Sequence, residues 1–199
     1  MLALTLALVT SLLDAPFPRD QVLQHLPMLV ALPILLSAAR RGWWSTASLV
    51  QVALFLFVHV VGARWVYSFV PYDEWSRSLL GWSPDRAFGL SRNHFDRFAH
   101  LASGVLLVLP FAELARTRGG LARGWSIAFG WCAVVALGAV YEVFEWLLTL
   151  VVHGEDAVRY NGQQGDAWDA QKDMALAALG GLVAVAVGLV RRGPREPDR

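Results

Sequence analysis

The sequence predicts an all-α, polytopic transmembrane helix bundle, and three observations carry that prediction. Apolar residues fill 56% of the 199 positions and charged residues only 17%, the balance of a chain that sinks most of its helices into lipid. The apolar residues come in long runs, and nine Trp, four Tyr and ten Phe fit aromatic belts at two membrane interfaces better than a small soluble core. Basic residues cluster behind every second run: Arg40 and Arg41, then Arg116, Arg118 and Arg123, then Arg191, Arg192, Arg195 and Arg199. About six spans follow, with residues 1–199 as one integral membrane domain. The positive-inside rule places both termini in the cytoplasm, and residues 191–199 as a basic cytoplasmic tail. A formal net charge of +1 argues against nucleic acid, and a lone Cys132 excludes an intrachain disulfide framework.

Each element has its own justification. Leu2 to Leu13 is apolar but only ~18 Å long as a helix, against a hydrocarbon core of ~30 Å. No basic segment precedes it and no small-residue cleavage site follows, so it reads as a short helix rather than a signal peptide. Leu26 to Ala39 is a second span, broken by Pro27 and Pro33. The third runs from Ser45 to Tyr67. Residues 68–92 form an external connection rich in Trp, Tyr, Pro, Asp and Arg, long enough for a lid or binding role. The fourth span runs from Asn93 to about Ala115 and is kinked or ended at Pro110; the fifth runs from Trp125 to about Val152. The sixth begins at the polar run Gly162 to Met174 and continues through uncharged residues to Val190.

The chemistry concentrates at one end. With this topology all five histidines and all acidic residues but Glu113, Glu196 and Asp198 fall in the outer half. Asp166, Asp169 and Asp173 stand at i, i+3 and i+7, one stripe of a helix. His100, Glu145 and Asp173 each lie about two turns inside the outer end of their spans, roughly 8 to 12 Å deep. Asp96 shares a helix face with His100, and Glu142 with Glu145. A carboxylate at mid-bilayer costs about 2.5 to 3.5 kcal/mol, so several facing lipid would cost as much as a domain's stability. They must face inward, and be paired, protonated, hydrated or bound to a cation.

A carboxylate-rich set with imidazoles suits a divalent metal: Mg or Mn, with Zn or Fe through His94 and His100. Candidate ligands are Glu142, Glu145, Asp166, Asp169, Asp173 and His94. Candidate acid–base groups are His100, Glu145 and Asp96, acting on a metal-bound water. Arg97, Arg64 and Lys172 are the cations available to a substrate, read as a lipid-linked or phosphorylated ligand at the outer leaflet. Rival readings stand beside this one. The same residues can form an internal ion-pair network that fixes helix packing, or an ion- or proton-coupled transport path, although no polar residues continue inward from Glu142 or Asp173. His59 reads as a packed or hydrogen-bonded histidine, His25 and His153 as interfacial, Arg64 as snorkelling, and Gly180-Gly181 as a point of close helix approach. Oligomeric state is left open.

Several stretches taken together resemble the YjdF family of bacterial inner-membrane proteins. They are Gln24-His25-Leu26-Pro27, Gly62-Ala63-Arg64 with Tyr67 to Tyr72, Arg92 to Arg97 with His100, Tyr141-Glu142 with Glu145-Trp146, and Gly165 to Met174. The resemblance implies a multi-pass protein of the bacterial inner membrane and carries over no catalytic residues. The spacing Asp-x-x-Asp-x-x-x-Asp also resembles the first aspartate motif of UbiA-type membrane prenyltransferases, whose second motif this sequence lacks. Acidic residues ahead of a glycine-containing last helix resemble the VanZ-type membrane proteins.

Overall fold

A computed structural model describes residues 2–151 and 162–190; His153, Arg159, and the basic tail 191–199 lie outside the described residues. The described chain is helical and contains no strand. Its helices are α1 (Leu2–Leu12), α2 (Pro18–Gln24), α3 (Leu26–Arg40), α4 (Thr46–Arg64), α5 (Tyr72–Leu80), α6 (Pro84–Phe88), α7 (Phe95–Thr117), α8 (Arg123–Val151) and α9 (Asp169–Val190). Four of these, α4, α7, α8 and α9, are long and apolar enough to cross a bilayer. The pair α2 and α3 makes a fifth span if taken together, bent by 42°, and the short α1 is the sixth apolar helix, in rough accord with the expected count.

The bend lies at His25, and it is the residue before Leu26-Pro27 that breaks the path. Pro27 occupies the first turn of α3, where a missing N–H costs nothing, while Pro33 is carried inside the helix. Pro110 likewise sits within α7, which continues to Thr117 instead of stopping. The carbonyl of Pro110 accepts from the indole of Trp44 at 2.9 Å, anchoring the α3–α4 connection to α7. Beside it the Glu113 carboxylate accepts from the backbone N–H and hydroxyl of Ser45, both at 2.8 Å, at the N-terminus of α4.

Helix α7 is the centre, packed on α4, α8 and α9, with α8 also packed on α9 and α1 on α4. Small residues set how closely they approach. A Cβ on Gly104 of α7 would overlap backbone atoms of Ala177 and Gly181, and one on Gly180 would overlap the carbonyl of Leu101. The expected role of Gly180-Gly181 is therefore met by backbone-to-backbone contact. Gly130 of α8 meets the Val108 carbonyl in the same way. Trp131 then reaches across to donate to the Ala178 carbonyl at 3.0 Å.

The connection over residues 68–92 is folded. Gly81 and Gly89, both with positive φ, end α5 and α6. Asp73 pairs with Arg77 at 3.0 Å and accepts from Ser83 at 2.7 Å, and these partners hold its carboxyl below its ordinary pKa, the serine hydrogen bond most of all. Tyr72 donates to Asp85 at 2.8 Å. Its phenol is pushed up to about 12, chiefly by burial and then by Asp85, against the His94 backbone N–H it accepts from.

Candidate functional site

The expected residues gather at the end of the bundle where α7 and α9 begin and α8 finishes, and the structure divides them into two tiers. The upper tier is held by arginine. Asp169, the first residue of α9 and 4% exposed, accepts from Arg92 at 2.6 Å and lies 3.4 Å from Arg97. Asp166 pairs with Arg97 and, at 2.6 Å, with Lys172. These contacts hold its carboxyl down at about 2, the lysine hydrogen bond contributing most.

The expected helical stripe needs correcting here, because α9 starts at Asp169 and Asp166 precedes it. The reason is local. Gln164 and Gly165 both take positive φ, which turns the chain, and the Asp166 side chain accepts from the Trp168 N–H at 3.1 Å as a turn-forming carboxylate. Only Asp169 and Asp173 share the helix.

The lower tier contains no lysine or arginine. Asp96 and His100 of α7, Glu142 and Glu145 of α8, and Asp173 of α9 are all buried, from 9% exposed for Glu142 to 1% for Asp173. The His100 Nε2 lies 3.2 Å from Glu142 Oε1 and 3.7 Å from Asp96 Oδ1. One ligand atom each from Asp96, His100 and Asp173 lies within 4.8 Å of the others. Glu145 takes a hydrogen bond from Tyr141 and feels the charges of Asp96 and Glu142. Among the described residues two buried oxygens of this tier, Glu142 Oε1 and Asp173 Oδ1, have no hydrogen-bond partner, the approach of His100 to Glu142 Oε1 being an ion-pair contact without hydrogen-bond geometry. Gly162 closes the tier from above: it has positive φ, and a Cβ there would stand 3.6 Å from Asp96 Oδ2 and 3.3 Å from the buried, unpartnered Ser68 Oγ.

The remaining expected residues take other places. His94 precedes α7 beside Arg97, Nδ1 to Nη1 3.4 Å, outside the three-residue group. Partial burial, then Arg97 and Arg92, lower its pKa. Arg64 donates to the carbonyls of Ser11 at 2.6 Å and Leu13 at 2.8 Å. It caps the C-terminal end of α1 instead of snorkelling, where a cation suits the helix dipole.

Three further features escaped the sequence reading. Arg92 is the first; it lies in the turn before α7, where no periodicity marks it. The second is a buried hydrogen-bonded group around two histidines. His25, expected at an interface, is 7% exposed, with Nε2 at 3.2 Å from Gln21 and 3.3 Å from Ser11. Its ring centroid lies 6.1 Å from that of His59, whose Nδ1 meets the Tyr67 hydroxyl at 2.6 Å. Val66 and Tyr67 both adopt left-handed φ, of 49° and 54°. That arrangement costs of order 1 to 3 kcal/mol per residue and turns the Tyr67 ring back over Gly62, whose lack of a side chain admits it.

The third feature is a cavity of about 450 Å³ bounded by α3, α4, α7 and α8. Its polar end is formed by His59, Tyr67, Asp96, His100, Ser103 and Tyr141, and its remaining walls are almost wholly apolar. No periodicity or motif in the sequence marks it.

Fold and site together define a multi-pass membrane protein with a buried acidic centre at one end of its bundle and an apolar cavity leading away from it. Residues 1–193 match the family described as "Predicted membrane protein (DUF2238)". The chain is 33% identical over 186 residues to "Inner membrane protein YjdF" of Escherichia coli (strain K12), covering 92% of this chain and 84% of that protein. It belongs to this family of bacterial inner-membrane proteins. No solved structure matches it.

Proposed function

We propose that the protein is a metal-dependent enzyme of the inner membrane, acting on the anionic head of a lipid-linked or phosphorylated substrate at the outer side, with Asp96, His100 and Asp173 holding one divalent cation. The observation that carries this reading is the Asp173 carboxylate, 1% exposed, one oxygen without a hydrogen-bond partner among the described residues, beside an aspartate and a histidine on the neighbouring helix. An uncompensated buried carboxylate is expensive, and a cation supplies what the protein withholds. The spacing fits. Donors about an ion with bonds near 2.1 Å stand about 3 to 4 Å apart, so a set already within 4.8 Å closes with small side-chain movements.

A bound cation would polarise a phosphoryl or acyl oxygen and acidify water. The chain's own groups supply the rest. Glu142, whose Oε1 lies 3.2 Å from His100 Nε2, accepts the proton of the attacking water. Glu145, tied to Tyr141, fixes the α8 side of the centre. Arg92 and Arg97 each carry a buried Nε–H without a hydrogen-bond partner among the described residues, donors for an anionic head above the acidic tier. A transport path is disfavoured by what lies inward: Leu107, Val108, Val134 and Ala184 form a buried apolar layer beneath the centre.

Elemental analysis of the detergent-purified protein tests the reading, followed by Mn²⁺ titration read by electron paramagnetic resonance so that a weakly held ion is not missed. Wild type is expected to bind one ion per chain, and Asp173→Asn and His100→Ala to bind none while remaining folded. Equal Mn²⁺ binding in all three, or none in wild type, overturns it and leaves an internal network.

A further inference from the structure

We infer that the 450 Å³ cavity is the seat of one hydrocarbon chain of a membrane amphiphile, which enters sideways from the bilayer between α3 and α8 with its phosphorylated head against the acidic centre. This names the substrate class for the proposed centre and rests on that reading for the head alone.

Four observations converge. The cavity is amphiphilic along its length: six polar side chains ring one end, and Leu35, Phe55, Leu107 and Val134 line the walls below. Below those polar groups, apolar walls of this extent favour a hydrocarbon over water or ions. Its depth matches a lipid chain. From His100 to Phe111 along α7 is eleven residues, ~16 Å of helix, and half of a ~30 Å hydrocarbon core is ~15 Å, one leaflet.

The cavity also opens where lipid is. Val30 and Ile34 of α3 and Leu137 of α8 line it while being 64%, 50% and 49% exposed, so its side wall between these helices is the membrane itself. The polar end of that opening is tied, the Tyr141 hydroxyl meeting Gln24 at 3.4 Å, and at the far end the Trp44 indole donates to the Pro110 carbonyl and closes the cavity between the α3–α4 connection and α7. A slot closed off in this way and open along its side admits a chain from the bilayer and refuses a water-soluble ligand of similar bulk.

Photolabelling tests this. The full-length protein is reconstituted in vesicles of phosphatidylethanolamine and phosphatidylglycerol, in one arm with a phosphatidylglycerol carrying a diazirine near one chain end, in the other with a diazirine-tagged polyprenyl phosphate. Labelled peptides are mapped, and metal content is measured on the same samples. Label from at least one probe is expected on the inward-facing Leu35, Phe55 or Val134, and the arm that delivers it identifies the head class. Ala31→Phe and Leu137→Trp, which add bulk to the slot from α3 and from α8, should each reduce that label about ten-fold and leave metal content unchanged. Asp173→Asn should lose metal and keep label on the walls. Label confined to outward-facing residues such as Leu29 and Val140, at equal levels in wild type and both filling variants, overturns the chain site whatever the metal result. Wall label without metal in the wild type sinks the metal reading and leaves the chain site in place.

Discussion

The two tiers of carboxylates lie within a few turns of one another, yet they solve the same problem in opposite ways. Asp166 and Asp169 are answered by Arg92, Arg97 and Lys172 at ion-pair distance. Asp96, Glu142, Glu145 and Asp173, deeper along their helices, share a single imidazole and leave two oxygens with no hydrogen bond among the described residues. Proximity to the surface does not explain the difference, since Asp169 is 4% exposed and Glu142 is 9%. A satisfied buried ion pair holds its helices together, whereas a buried carboxylate without a cationic partner adds cost to the fold. Opposite responses to substitution follow.

The largest expected effect is in the arginine-held tier. Arg92→Ala leaves the buried Asp169 carboxylate only the longer contact with Arg97, at 3.4 Å, and should cost about 3 kcal/mol, the low end for breaking a buried pair from one side. Urea titration in detergent, followed by tryptophan fluorescence, reads the loss. A cost below 1 kcal/mol would erase the distinction between the tiers.

Next comes the contrast. In chelator, Asp173→Asn and Glu142→Gln should match or exceed wild-type stability, because each removes a buried carboxylate that has no lysine or arginine at ion-pair distance among the described residues. Destabilisation as large as that of Arg92→Ala would show the lower tier to be structural as well. Divalent cation should then reverse the order. At a concentration a hundred-fold above its dissociation constant Mn²⁺ should stabilise wild type by about 2.7 kcal/mol and Asp173→Asn not at all, seen as a melting shift lost on adding EDTA.

The smallest effect sharpens the upper tier through pH. The Asp166 carboxyl is held below its unfolded value of 3.8, at about 2. A depressed carboxyl contributes stability that is present above the unfolded value and is lost as pH falls through the folded one. Asp166→Asn should therefore melt lower than wild type at neutral pH, with the gap narrowing from about pH 4 and closing near pH 2. Salt should narrow it too, since Lys172 is half exposed. A gap independent of pH would assign the effect to the turn ahead of α9 and not to the charge.

How much of this was legible in the sequence depends on what kind of signal each part leaves. Depth along a helix is arithmetic, so the convergence of His100, Glu145 and Asp173 could be counted from the ends of three apolar runs, and the structure does bring their helices together. The Asp166 stripe failed because a period says nothing about where a helix begins. Two positive-φ residues and a side-chain turn moved the start to Asp169.

Arg92 left no periodic trace, but a charge count could have pointed to it: carboxylates at that level outnumber Arg97 and Lys172, so a nearby loop arginine was needed. The inward turn of Tyr67 onto His59 depends on left-handed residues that are not glycine, and no sequence rule anticipates those. The cavity arises from helices that fail to pack, and a failure of packing has no motif.

The contact of Gly104 with the backbone of α9 has one more consequence. Asp96 and His100 ride on α7 and Asp173 on α9, and where backbones touch with no side chain between them the two helices can come no closer. Any drawing together of these three groups, whose ligand atoms lie within 4.8 Å of one another, therefore falls to side-chain rotation and not to helix movement. A side chain added at Gly104 would wedge α7 from α9 and spread the three groups apart without touching any of them.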